Sequence, residues 1–112
     1  MGALAATTPT RLGVASPGAA VAASDTISTA ILGARGALLE ILNGNAAVDN
    51  MTISDADLTE AGTQPAPYPV SVANGTNKTF KIHPSQADRV TGLVTITHSV
   101  TPTVTYKLYP LG

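Results

Sequence analysis

From position 70 onward, apolar and polar side chains alternate with a period of two. Val70-Ser71-Val72, Thr79-Phe80-Lys81-Ile82, Leu93-Val94-Thr95-Ile96-Thr97 and Thr103-Val104-Thr105-Tyr106-Lys107-Leu108 are the four clearest runs. On an extended chain this spacing sends alternate side chains to opposite faces, so each run predicts a strand with one dry face and one wet one. Val70 and Val72 share a face, as do Phe80 and Ile82, Val94 and Ile96, and the trio Val104, Tyr106 and Leu108. Turn chemistry separates the runs. Ala73-Asn74-Gly75-Thr76-Asn77 suits a turn with φ > 0, and Thr101-Pro102 marks a last hairpin turn. His83 to Arg89 reads as a loop with one helical turn, capped by Ser85.

The first half of the chain is less regular. Residues 1–8 are small and aperiodic, which predicts a flexible arm. Pro9 to Ala15 reads as a strand with Leu12 and Val14 on one face, closed by the turn signal Ser16-Pro17-Gly18. Two readings stay open between 19 and 43. Ile27, Ile31, Leu38 and Leu42 fall near helical spacing and allow a helix over 26–42. Gly33, Gly36 and the β-branched Thr26, Ile27, Thr29 and Ile31 oppose it. The preferred reading puts one short strand and a loop in 19–36, with Gly33-Ala34-Arg35-Gly36 as a turn. A largely buried strand over 37–42 follows, ended by the tight-turn dipeptide Asn43-Gly44. Asp49 to Ser54 is a further strand, with Met51 and Ile53 on one face. Asp55 to Tyr68, with Gly62, Pro65 and Pro67, is a long loop and a candidate functional one. About seven or eight short strands at near-regular spacing predict an all-β protein. The expected architecture is an antiparallel two-sheet β-sandwich, jelly-roll or immunoglobulin-like, over residues 9–112 behind an extended arm of residues 1–8.

Composition narrows the function. At 112 residues the chain fits one domain. Only 12% of residues are charged, about half the usual share, which suits a surface that is partly covered in a complex. The net charge is −1, and Arg11, Arg35, Lys78, Lys81, Arg89 and Lys107 are scattered. Nucleic-acid binding needs clustered cations and is not expected. The chain has no cysteine, which excludes disulfide frameworks, thiolate metal sites and cysteine nucleophiles. Ala20-Val21-Ala22 resembles a small-residue cleavage site, but Pro9, Arg11 and Pro17 interrupt the stretch before it, and no secretory signal is expected. No apolar run approaches the ~18 residues of a membrane helix, so no membrane partner is expected. Asn50-Met51-Thr52, Asn74-Gly75-Thr76 and Asn77-Lys78-Thr79 match the glycosylation pattern and read as coincidences of Asn/Thr-rich turns.

Candidate chemistry is sparse. Ser54-Asp55-Ala56-Asp57-Leu58-Thr59-Glu60 lacks the further ligands of a calcium loop and reads as solvated. His83 and His98 fall short of the three or four ligands that zinc needs; a turn and the edge of the core explain them. His98 and Ser99 are neighbours in a strand and so point to opposite faces, and no nucleophile elbow is present. Glu40 alternates with Leu39 and Ile41 and reads as surface-facing or partner-facing. The four aromatics are Tyr68, Phe80, Tyr106 and Tyr109. Phe80 is expected in the core, while Tyr106 and Tyr109 have opposite parity and cannot form one stacking platform. No catalytic residue, cofactor or metal is expected, and the chain does not read as an enzyme.

The order of the pieces carries a resemblance. Asp25-Thr26 precedes Gly36-Ala37-Leu38-Leu39-Glu40-Ile41-Leu42-Asn43-Gly44, then Met51-Thr52-Ile53. An Asn/Gly-turned pair ending in Phe80-Lys81-Ile82 follows, then Ala87-Asp88, Gly92-Leu93-Val94-Thr95-Ile96-Thr97 and a terminal strand. Over roughly residues 9–112 this resembles small virion proteins of tailed bacteriophages, of the capsid decoration or cement type. The resemblance implies a non-enzymatic β-sandwich, made in the host cytoplasm, that binds the outside of a phage head and bridges neighbouring subunits. It implies the major capsid protein as partner, and self-association into a small symmetric oligomer would fit the low charge. It transfers no individual contact residue. Leu4, Pro9 and Arg11 are the interface candidates that the arm reading supplies, since an arm ordered on a partner adds contact area. Two alternatives share the architecture: a phage neck, tail or receptor-binding module, and a small carbohydrate-binding domain.

Overall fold

The alternation of residue types becomes an alternation of burial. In the computed structural model, which describes residues 2–15, 18–55, 68–88 and 90–111, Ala37, Leu39, Ile41 and Asn43 are buried while Leu38, Glu40 and Leu42 are half-exposed. The described strands are β1 (Gly2–Ala3), β2 (Ala19–Ala20), β3 (Ser24–Ser28), β4 (Ala37–Asn43), β5 (Asp49–Ile53), β6 (Tyr68–Val72), β7 (Asn77–Ile82), β8 (Leu93–Thr97) and β9 (Val104–Pro110). A four-residue helix, α1 (Thr29–Leu32), links β3 to β4. Residues 56–67, most of the candidate functional loop, lie outside the described residues.

Two sheets form, in the orders β1-β3-β8-β5-β6 and β2-β9-β4-β7. Their pairings are nested: β2 with β9, β3 with β8, β4 with β7 and β5 with β6, all antiparallel. From β2 to β9 the chain therefore forms one long ribbon of paired strands, with β5 and β6 as its innermost pair. Two further antiparallel pairings, β4 with β9 and β5 with β8, roll the ribbon into two layers. Eight strands in this order make a jelly roll, which decides between the two sandwich types expected from the sequence. β1 adds in parallel beside β3, with Gly2 opposite Asp25 and Ala3 opposite Thr26.

Among consecutive pairs from β2 to β9, only β5 and β6 share a sheet. The turns at Asn43-Gly44, Ala73–Asn77 and Thr101-Pro102 stand where the sequence predicts breaks, but they arch between sheets instead of closing hairpins. Asn43 shows the reason. Its side chain is buried, and Nδ2 donates to the carbonyls of Ala47 (2.9 Å) and Val72 (3.0 Å) while Oδ1 accepts from Asn45 N–H (2.9 Å). Those bonds hold a wide arch over the end of β6, where a two-residue hairpin would leave the amide unpaired in the core.

One core fills the gap. Ile27, Leu32, Leu39, Ile41, Met51, Ile53, Val72, Ile82, Val94, Ile96, Val104 and Leu108 are all less than 2% exposed. Phe80 packs half-buried against them. Leu32 is the one core residue that α1 contributes. The long helix allowed over 26–42 shrinks to that single turn, because Gly33 (φ 56°) ends it with its N–H on the Thr29 carbonyl (3.0 Å).

Three local expectations change. Pro9 to Ala15 is not a strand: Thr10 and Gly13 bond each other in a turn, Gly13 has φ 91°, and Leu12 is fully exposed. The helical turn after β7 covers Pro84–Gln86, with His83 at its cap position instead of Ser85, and Gln86 Oε1 accepts from His83 N–H (2.8 Å). Residues 2–7, read from sequence as part of a flexible arm, lie along the open side of the sandwich with Leu4 in the core, 6% exposed.

Two predictions follow from the turns. Gly36 has φ 85°, and a Cβ there would strike the Ile82 carbonyl oxygen, whereas a Cβ at Gly75 (φ 72°) meets nothing within 4 Å. Gly36→Ala should destabilise the fold by about 2–3 kcal/mol and Gly75→Ala by about 1 kcal/mol, read by urea unfolding. Asp88 Oδ1 accepts the N–H groups of Val90 (2.8 Å) and Thr91 (3.1 Å), and these bonds hold its carboxyl below the usual aspartate range. Its contribution is therefore present above the unfolded-state pKa and lost as pH falls through the lower folded value. An NMR titration should place the Asp88 midpoint below that of a free aspartate, and Asp88→Asn should remove this part of the acid dependence.

Candidate functional site

Side chains with chemical potential gather in two places, one inside the sandwich and one on its surface. The inner one follows from strand parity. Asp49 shares the inward face of β5 with Met51 and Ile53, Asp25 that of β3 with Ile27, and His98 continues the inward row of Val94 and Ile96. His98 Nδ1–H donates to Asp49 Oδ2 at 2.7 Å, with the two side chains 1% and 0% exposed. His98 Nε2 lies 4.0 Å from Asp25 Oδ2. Asp49 Oδ1 also accepts Ser99 N–H (3.0 Å), and Asp25 Oδ2 accepts Ala22 N–H (3.0 Å).

This cluster is a clasp. It ties the ends of β3, β5 and β8 and the chain after β8, and it is sealed from solvent. Ser99 points the other way, its Oγ accepting Asn50 N–H at 2.7 Å, so histidine and serine occupy opposite faces as strand geometry requires. Among the described residues, no buried side-chain polar atom lacks a partner and no three acidic or histidine side chains are placed to hold a metal. Nor, among them, is any helix long and apolar enough to cross a membrane.

The outer site is the outward face of the five-stranded sheet, where Asn50 and Pro69 are exposed, Thr26 is buried and the other outward side chains of β3, β5, β6 and β8 are half-buried. Registers align Ser24, Thr97, Thr52 and Pro69 in one row, Thr26 with Thr95, Ser28 with Leu93, and Asn50 with Ser71. The only charged residues in the strands of this sheet are Asp25 and Asp49, and both point inward. Among the described residues, the outward positions of these strands therefore carry no charge. Hydroxyls also join the sheet's strands where the ladder is thin. β5 and β8 share two ladder pairs, Thr52 with Thr97 and Ile53 with Ile96. Beyond them Ser99 Oγ accepts Asn50 N–H, Ser54 Oγ accepts Thr95 N–H (2.8 Å), and the Thr52 and Thr97 hydroxyls bond each other. A shallow depression of about 340 Å³ lies on this sheet between β5 and β6, lined by Asn50, Met51, Thr52, Pro69, Val70 and Ser71.

The opposite sheet differs. Its outer face carries Glu40 directly across from Lys107, with Lys81 across from Leu38 and Leu38 across from Tyr109. Glu40 is outward and half-exposed, as its alternation predicts, and its Oε2 accepts from Asn77 Nδ2 (2.7 Å). Tyr106 points inward and Tyr109 outward, while the Tyr68 hydroxyl accepts from Gln86 Nε2 (2.9 Å). His83 is exposed beside its turn.

The three arm candidates are not brought together. Pro9 and Arg11 are exposed in the stretch outside both sheets, whereas Leu4 is buried. Sequence reasoning did not single out the uncharged face or the Asp25–His98–Asp49 clasp. The signal for the first was the lack of charge at the outward positions of four strands. For the second it was polar residues at inward parity. Comparison with protein-family models, curated proteins and solved structures finds no match.

If the clasp is structural, removing its imidazole strands a buried carboxylate. His98→Ala should destabilise by about 3–5 kcal/mol in urea unfolding. In a double-mutant cycle, His98→Ala and Asp49→Ala should couple, losing together less than the sum of the two.

Proposed function

We propose that this protein is a non-catalytic structural component that works by covering part of a larger protein assembly, docking through the outer face of its five-stranded sheet. The absence of charge at the outward positions of its described strands carries the reading. Interface centres are depleted of charged residues, because burying a charge costs several kcal/mol unless it is paired, whereas hydroxyls and amides re-form their hydrogen bonds across the contact. The strand-and-turn order that resembles decoration proteins supplies the assembly: a tailed-phage head, with the major capsid protein as partner.

The size of the face sets how it binds. Four strands about 4.8 Å apart and five residues long make a plane of roughly 300–350 Å². A stable interface takes about 800 Å² from each partner. One face binds weakly, so the proposed role depends on many copies acting together and on contacts beyond the sheet. Bridging neighbouring subunits then means that opening the shell also breaks these contacts.

Purified protein should co-sediment with heads assembled without it and raise their resistance to heat. Asn50→Lys with Ser71→Lys should weaken that binding at least tenfold with an unchanged circular dichroism spectrum. Thr79→Lys, on the opposite sheet, should leave it intact. Equal binding by both variants would remove the face as the docking surface, and a wild-type chain that never sediments with heads would remove the capsid.

A further inference from the structure

Residues 2–7 close the open side of the sandwich. Gly2 and Ala3 pair with β3, Leu4 N–H donates to the Thr26 carbonyl (2.9 Å), and the Leu4 side chain enters the core. The segment then crosses to the other sheet. Ala5 N–H donates to the Tyr106 hydroxyl (2.9 Å), and Thr7 N–H to the Leu108 carbonyl (2.8 Å). It is a strap bonded to the edges of both sheets, with one apolar plug. Beside it a cavity of about 180 Å³ opens, lined by Ala5, Thr7, Gly18, Ala19, Tyr106 and Leu108 among others.

The described stretch that follows the strap makes no hydrogen bond to either sheet. In the described stretch 8–15 the hydrogen bonds are local, between Thr10 and Gly13. Leu12 is fully exposed and Val14 is 49% exposed. The eleven residues Thr8 to Gly18 can span at most roughly 36–40 Å, about the longest dimension of the 40 × 36 × 20 Å domain. A strap docked on an adjacent copy would make the same bonds and bury the same leucine. The balance between the two arrangements then rests on concentration and on whatever the joining stretches gain where two copies meet.

We propose that residues 2–7 of one copy occupy this groove on a second copy, so that neighbouring molecules are linked by exchanged straps. Exchange covers Leu12 and Val14 at the crossing point. Crowding copies together, as on a repetitive surface, drives it forward. The inference concerns the chain alone and stands whatever surface the sandwich binds.

The absence of cysteine makes the test direct. Ala3 lies opposite Thr26 in the parallel pair, so chains carrying A3C alone are mixed with chains carrying T26C alone, refolded together at high concentration and mildly oxidised. Exchange predicts a two-chain product several-fold more abundant than in a control mixture of A3C with T79C, whose new thiol lies on the far sheet. A mixture that links no better than the control overturns the proposal, whether or not the A3C/T26C double variant closes within one chain. A substitution-free check uses wild-type chains in two isotope labels, refolded together. Nuclear Overhauser contacts from Leu4 of one label to Thr26 of the other should appear, and contacts confined to a single label overturn exchange.

Discussion

The rest of the structure depends on the contact between the inward rows of the two sheets. Leu39 and Ile41 of β4, with Val104 and Leu108 of β9, share one core with Ile27, Met51, Ile53, Val94 and Ile96 of the other layer. Each such side chain contributes about 1.5–3 kcal/mol when fully buried. No pair of neighbouring strands could keep that gain alone, because a two-stranded hairpin has nothing to cover its apolar face. Rolling the ribbon gives every inward row a facing layer. That requirement is why the connections arch between sheets, and why β4 and β5 each take a second partner from the returning half of the chain. The Asp25–His98–Asp49 clasp sits within this constraint. Polar groups at inward positions are tolerated there because they bond each other and the backbone.

Strand edges are handled by different means on each side. β7 ends one sheet with Lys78 and Lys81, charges that discourage another strand from pairing. β6 ends the other with Pro69, which has no N–H to offer. The remaining edges, β1 and β2, are two residues long. Between them runs the segment that carries Leu4. Two edges are thus blunted by residue type and two by length, and the side between the two short ones is closed by chain. A fold that blunts its edges this way leaves its faces as the surfaces for association.

Much of the architecture was legible because period two is a strong signal where one face is buried. Every run from Val70 to Leu108 lies in or beside a strand, and Met51 with Ile53, and Val94 with Ile96, fall on the inward faces assigned to them. The pairing of those strands was not legible. Parity tells which side of a strand is dry but not which strand lies beside it, and Asn43-Gly44 looks the same whether the chain turns back or crosses. Leu12 and Val14 mimic a strand face because alternation alone does not require a partner; Gly13 at φ 91° breaks the extension. Leu4 was hidden among alanines, since a single plug residue has no period. The outer face escaped notice for the opposite reason. Ser24, Thr52, Thr95 and Ser71 are ordinary in sequence, and only the register shows that no charge interrupts them.

That face also shows how a surface can lack charge and still be polar. Hydroxyl and amide groups keep water in place on the free protein at little energetic cost, while a carboxylate or ammonium would bind water far more tightly and resist being covered. The four-stranded sheet, with Glu40 set against Lys107, keeps charge on the other side of the molecule. Such a division gives a plate with one side easy to dehydrate and one side that stays wet. On the proposed reading a plate of that kind would dock in one orientation without any deep pocket, and a jelly roll suits it because both of its layers are anchored to the same core. The proposed docking and the proposed strap exchange use different parts of this plate, one its face and the other its open side. A copy engaged through both would be held to the surface beneath it and to its neighbour at once, which is what a small face of only a few hundred Å² needs in order to hold.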